Sequence, residues 1–249
     1  TVENACASGS SALHLAAQAL RAGSCEIALA VGAEKMNIPD KARMFAVFDS
    51  GWDVQSVDAN KESLLDLGRG IEPPPNTTST RPYSVFMDVY AAFCRDHMRR
   101  WGTTQRQIAA VSAKNHQHSV HNPLSQYRQA YTIDEVLAAP AISYPLTLPM
   151  CSPISDGAAS VVLCTDEGLR RLGLGRSRLV RLRASIVQTG VDRTADHPED
   201  YVSARAARRA YDQAGIDPAD VHIAEVHDAT AMGELLNAEA LMLVARGES

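Results

Sequence analysis

Along the first part of the chain the apolar positions crowd every side of a helical wheel: residues 10–21 carry Ala12, Leu13, Leu15, Ala16, Ala17, Ala19 and Leu20. Such a pattern predicts a buried helix rather than a surface one with a polar face. Ala22-Gly23-Ser24 ends it, and residues 25–32 form a continuous apolar run between turn residues, which predicts a central strand covered on both faces. Residues 36–81 lose any sustained period and contain Pro39, Gly51, Gly68, Gly70 and Pro73-Pro74-Pro75, so an irregular excursion is expected there. Helical patterns return at 85–100 and 104–116. The second opens with Thr104 followed three residues later by Gln107, a capping-box signal, and Thr132 with Glu135 signals a further short helix. From residue 158 onward the pattern alternates: strand 159–164, helix 166–172, strand 179–188, helix 201–214, strand 221–226, helix 231–244. This alternation predicts an α/β layered fold. Its recurrence at both ends of the chain permits two related halves.

The 249 residues are 45% apolar and 21% charged, enough to bury the core of one large domain or two compact ones. A formal net charge of −5 leaves no basic surplus to neutralise a phosphate backbone, which argues against nucleic-acid binding. No apolar stretch approaches the roughly 20 residues that span a bilayer, and no charged segment precedes an apolar one at the start. A soluble protein without an export signal is expected. The five cysteines, Cys6, Cys25, Cys94, Cys151 and Cys164, are widely spaced and lack a C-x-x-C pair. Neither a disulfide framework nor a thiolate metal site is expected, and a reducing cytoplasm fits. The chain opens on Thr1 rather than methionine and stops directly after a helical pattern, so an incomplete chain is expected.

Two positions stand out as chemistry. Cys6 lies where a strand gives way to Ala7-Ser8-Gly9-Ser10-Ser11, small residues that allow close approach, just before the buried helix. A thiol at a helix N-terminus faces unpaired N–H groups and the positive dipole end, which favour thiolate. The alternative is a small buried hydrophobe. His227 follows strand 221–226 and precedes Asp228-Ala229-Thr230 at a helix start, the place where α/β proteins put functional side chains. Its N–H could stabilise a developing thioester oxyanion; the alternative is a neighbour of Asp228 acting as helix cap. His116, His118 and His121 have no acidic or cysteine ligand alongside, so polar loop packing is expected there and no metal site. Asp156-Gly157 reads as a turn.

These residues fall into a familiar combination. Val2-Glu3-Asn4-Ala5-Cys6-Ala7-Ser8-Gly9-Ser10-Ser11-Ala12 resembles the nucleophile segment of thiolases, and Val31-Gly32-Ala33-Glu34-Lys35-Met36 the strand and turn after it. Residues 114–127, Cys151-Ser152-Pro153-Ile154-Ser155-Asp156-Gly157-Ala158-Ala159 and Glu225-Val226-His227-Asp228 resemble the sterol-carrier-protein-X branch. The resemblance implies a five-layer αβαβα thiolase fold, incomplete at both ends here, and a homodimer with Glu3 and Asn4 near its interface. It also implies chemistry on acyl-CoA thioesters, with coenzyme A as substrate or product and no covalently bound cofactor. Cys6 matches the acylated nucleophile, and His227 the histidine that this branch places in the oxyanion hole. The implied organisation is an N-terminal half at 1–35 and 104–165, a loop-domain excursion at 36–103, and the start of a C-terminal half at 166–249.

The departures bear on the reaction. The family's His-Asp pair is usually followed by Cys-Phe and then Asn-Glu, whereas this chain has Ala229-Thr230-Ala231-Met232-Gly233-Glu234. A later Gly-His-Pro segment, whose histidine activates the nucleophile, and a Cys-x-Gly segment, whose cysteine serves as acid and base, do not occur before Ser249. Three readings follow. The first is a thiolase-type acyltransferase acting on 3-oxoacyl-CoA or acetyl-CoA through a Cys6 acyl-enzyme. The second is an aldolase-type or ketone-forming relative working with a small partner protein, and the third a truncated, catalytically incompetent structural protein.

Overall fold

A computed structural model describes residues 1–191 and 197–249. The opening helix α1 spans Ser8–Arg21 and leads into strand β1, Ile27–Lys35. The segment expected to be irregular contains two helices, α2 (Lys41–Ala46) and α3 (Val57–Asp66), joined by a 3-10 turn over Val47–Gly51. Here the expectation is corrected. Both helices are short, and within so few turns local caps and packing outweigh an apolar period. Asp40 caps α2 by accepting from the Arg43 N–H at 3.0 Å, and Trp52 stacks on Phe86 at 4.8 Å between ring centroids.

Helices α4 (Val85–Trp101) and α5 (Gln105–Ser119) follow as their patterns predict. Gly102, at φ 72, ends α4 in the left-handed conformation that glycine adopts without penalty, and the Thr104–Gln107 capping box starts α5. Helix α6 (Ile133–Ala138) opens with the Thr132–Glu135 box. A small antiparallel pair, β2 (Ala141–Ser143) and β3 (Leu146–Thr147), then carries the chain to β4, Asp156–Cys164. Helices α7 (Asp166–Leu172), α8 (Val202–Ala214) and α9 (Ala231–Ala240) complete the described elements.

Strands β1 and β4 pair antiparallel, with Ile27 opposite Cys164 and Lys35 opposite Asp156. Asp156 is thus a strand residue rather than part of a turn. It accepts from the Met36 and Asn37 N–H groups at 2.9 and 2.8 Å and pairs with Lys35. The Lys35 bond first, then those backbone donors, hold its carboxyl down at about 2. The sheet also departs from expectation in coverage. Ala30 is buried on the face that meets α1, whereas Leu29, Val31 and Val162 on the opposite face are 61%, 56% and 58% exposed. Residues 179–188 and 221–226 form no ladder with any described residue. An apolar, β-branched run favours extended backbone, but a strand also needs a neighbour to take its N–H and C=O groups.

The core lies elsewhere. Ile108, Val136, Leu146, Met150 and Met232 are fully buried and bring α5, α6, β3 and α9 together, with Ala91 and Cys94 entering from α4. Among the described residues no helix is long and apolar enough to cross a membrane.

Candidate active site

Cys6 sits in a single 3-10 turn, Ala5–Ala7, that runs straight into the first turn of α1. Ala5 before it has φ 45, a left-handed conformation that costs a residue with a Cβ on the order of 1–2 kcal/mol. Short polar side chains hold that conformation in place. The Ala5 N–H donates to Glu3 Oε1 at 2.8 Å, Ser8 Oγ donates to the Ala5 carbonyl at 2.8 Å, and the Asn4 N–H donates to Ser8 Oγ at 2.8 Å. Asn4 Nδ2 adds a bond to Ser11 Oγ at 2.9 Å. Strain held by surrounding bonds in this way is characteristic of functional turns. Cys6 itself is exposed, which overturns its reading as a small buried hydrophobe.

His227 arrives from the far end of the sequence, at the close of an extended stretch leading into α9. The N-cap of α9 is Thr230, so Asp228 does not cap the helix. The loop is fastened instead by longer-range contacts. Ser152 N–H donates to the Ala229 carbonyl at 3.0 Å beside a Cys151–Thr230 bridge. Asn237 Nδ2 donates to the His227 carbonyl at 3.1 Å and to the Gly233 carbonyl at 2.9 Å. Gly233 lets the loop lie flat on the helix, because a Cβ there would come within 3.3 Å of Asp228 Cα and 3.4 Å of the His227 carbonyl oxygen.

The fold brings the two residues together. The interaction with His227 is the main reason that the Cys6 thiol is held below its ordinary value, and the same interaction raises the His227 imidazole. Burial opposes both shifts and the mutual charge interaction assists them. Both shifts run in the direction of a thiolate beside an imidazolium. Burial, followed by the nearby charge of Glu234, raises Asp228; burial, followed by the charges of Cys6 and Asp228, raises the Tyr90 phenol on α4. An exposed, lowered thiol among groups of perturbed proton affinity is a nucleophile's setting.

The remaining cysteines with shifts behave oppositely. Burial pushes Cys151 up to about 12 and raises the fully buried Cys94 as well, so both stay protonated. His116 donates from Nε2 to the Pro149 carbonyl at 3.2 Å and lies edge-on to Tyr131, while His118 and His121 are exposed. His197, Glu199 and Asp200 bring their ligand atoms within 4.8 Å of one another, and Glu199 is already engaged by His197 and Arg246. Tyr90, Gly233 and Asn237 were not singled out from the sequence. Asn237 left one signal: an asparagine, a poor former of helix interiors, stands in the middle of an apolar helix.

Comparison with known proteins accords with this geometry. Residues 1–135 match the family model "Thiolase, N-terminal domain", and residues 190–249 match "Thiolase C-terminal domain-like". The chain belongs to the thiolase family. Its relatives include human sterol carrier protein 2, 33% identical over a 254-position alignment that covers 99% of this chain and 43% of that protein. The acetyl-CoA acetyltransferase of Methanothermobacter thermautotrophicus is 32% identical, and the benzoylsuccinyl-CoA thiolase subunit BbsB of Thauera aromatica 30%; each alignment covers 99% of this chain and 58% of the relative. The chain thus spans about half the length of the curated relatives it matches. Among solved structures, the Ltp2-ChsH2(DUF35) aldolase superposes with a TM-score of 0.65 at 23% identity, covering 96% of this chain and 58% of that one. A monomeric SCP2-thiolase like protein type 1 from Mycobacterium smegmatis gives 0.60 at 17%, covering 95% of this chain and 47% of that one. Both likenesses establish the thiolase fold.

Proposed function

We propose that this thiolase-family chain carries the acyl-accepting half of a thiolase-type acyltransferase, with Cys6 as nucleophile and His227 as oxyanion donor. The juxtaposition of an exposed Cys6 with His227, each shifting the other's proton affinity in the direction that favours the thiolate, carries the reading. The Cys6 thiolate attacks the carbonyl carbon of an acyl-CoA, forming a C–S bond while the carbonyl π pair moves onto oxygen. As the sulfur gives up its charge, the His227 N–H donates to the new oxyanion two bonds away. Collapse breaks the bond to the CoA sulfur, which leaves as a thiolate and takes a proton from solvent, and the acyl group remains on Cys6 as a thioester. Free CoA then accepts it by the reverse of these steps, which returns the Cys6 thiolate. Coenzyme A is substrate and product in this scheme rather than a resident group.

Intact-protein mass spectrometry after incubation with acetyl-CoA tests the reading. The expected result is one acetyl adduct, removed by hydroxylamine and absent from Cys6→Ala. Folded protein that stays unmodified, or an adduct that persists in Cys6→Ala, would overturn it.

A further inference from the structure

Among the described residues none forms a ladder with residues 221–226, the stretch that leads to His227. The hydrogen bonds that fasten the His227 loop come from the Cys151 side and from α9. Asn237 is the α9 side chain that reaches back to the histidine's own peptide. Its amide nitrogen donates to two carbonyls at once, His227 at 3.1 Å and Gly233 at 2.9 Å, tying the residue before the helix to the helix's first turn. The bare Gly233 lets the loop lie close against the helix; the bond to the Gly233 carbonyl fixes the amide on α9, so a shift of the loop would stretch the bond to His227.

The helix that presents Asn237 is itself pinned at its other end. Buried His97 of α4 donates from Nε2 to Glu239 Oε1 at 3.0 Å and bonds Thr103 Oγ1 through Nδ1 at 2.7 Å. Glu239 Oε1 also accepts from the Gly247 N–H at 2.8 Å and Ser249 Oγ at 2.9 Å. On the side facing α5, Glu234 accepts from Asn115 Nδ2 at 2.8 Å and pairs with Lys114. A helix fixed against two neighbours is a rigid base from which one amide can set a loop.

We propose that Asn237 is a positioning residue for the nucleophile pair: by holding the His227 peptide against α9, it sets the imidazole within reach of Cys6. This rests on the acyl-transfer reading for its purpose but not for its test. Asn237 touches no reacting atom and acts through His227 alone.

The test is the pH dependence of Cys6 alkylation by iodoacetamide, followed at Cys6 by peptide mass spectrometry. It is measured for the unaltered chain, His227→Ala, Asn237→Ala and Asn237→Asp. Glu34 acts on Cys6 and Asp228 on His227, Tyr90 responds to Cys6, and Glu234 and Lys114 act on Asp228; all are unchanged in the Asn237 variants. Aspartate keeps the size of the side chain and loses the donor, while alanine loses the donor without adding charge. Agreement between the two isolates the missing hydrogen bonds, and the isostere serves where the alanine variant does not fold. Both are expected to move the alkylation midpoint upward towards that of His227→Ala, slowing alkylation at neutral pH by about threefold. A merely structural role would lower the melting temperature and leave the midpoint alone, and that result overturns the proposal. If the unaltered chain takes no acyl group yet the midpoint still moves, acyl transfer fails and the positioning role stands. An acyl adduct with an unmoved midpoint removes the positioning role only.

Discussion

The β1–β4 sheet and the cluster formed by α4, α5, α6 and α9 both carry large apolar side chains, and the fold treats them in opposite ways. Met232, Ile108 and Val136 are sealed completely, whereas Leu29, Val31 and Val162 stand open on one face of their sheet. An apolar run thus records the capacity to be covered, and whether it is covered depends on elements far away in the chain. The site spans that divide. Cys6 belongs to the turn ahead of α1, which packs on the open sheet, and His227 to the loop lying on the sealed α9.

The sharpest test of this contrast truncates one apolar side chain in each region. Met232→Ala removes a fully buried side chain from close packing and is expected to cost about 3–4 kcal/mol in urea unfolding. A cost below about 1 kcal/mol would mean that the cluster collapses around the gap and is not close-packed.

The next effect falls on the pair joining α4 to α9. Burial alone would raise the Glu239 carboxyl. Bonds from His97, the Gly247 N–H and Ser249 outweigh it and leave the group below its ordinary 4.5. A carboxyl lowered on folding stabilises the native state above its unfolded value, and that contribution disappears as pH falls through the folded value. Glu239→Gln is expected to cost about 2 kcal/mol at neutral pH and to shrink the loss of stability on acidification below pH 4.5. An unchanged acid limb in urea titrations would show that other carboxylates govern it.

The smallest effect is expected on the open sheet. Leu29→Ser should change the unfolding free energy of this chain by less than about 0.5 kcal/mol, since water already reaches the side chain. A cost comparable with that of Met232→Ala would show that this face is covered in solution, and would erase the distinction between the two regions.

What was legible in the sequence divides along the same line. The Thr104–Gln107 and Thr132–Glu135 boxes were readable because each closes on itself within three residues, and both form as expected. Cys6 and His227 are marked as candidates by their settings before helices, and the structure places them close enough to shift each other's proton affinity. Asp156 was misjudged because a short polar residue beside glycine is a good turn former; its partners are Met36 and Asn37, far away in sequence. Residues 25–32 were expected to be covered on both faces, and 179–188 and 221–226 to form strands. In each case composition indicates extended backbone and says nothing about a neighbour. Asn237 remained hidden for the same reason, since the value of its amide lies in which carbonyls the fold delivers to it.

Cys6 and His227 stand near opposite ends of the chain, and this separation has a consequence in time. Contacts across so long a stretch of backbone form only once the intervening helices have docked, because closing so large a loop has to be compensated by packing. In the proposed reading the thiol keeps the low reactivity of a free cysteine side chain during folding, and it is activated only when α9 settles and His227 reaches it. The rate of its modification is therefore a built-in clock for the last stage of assembly.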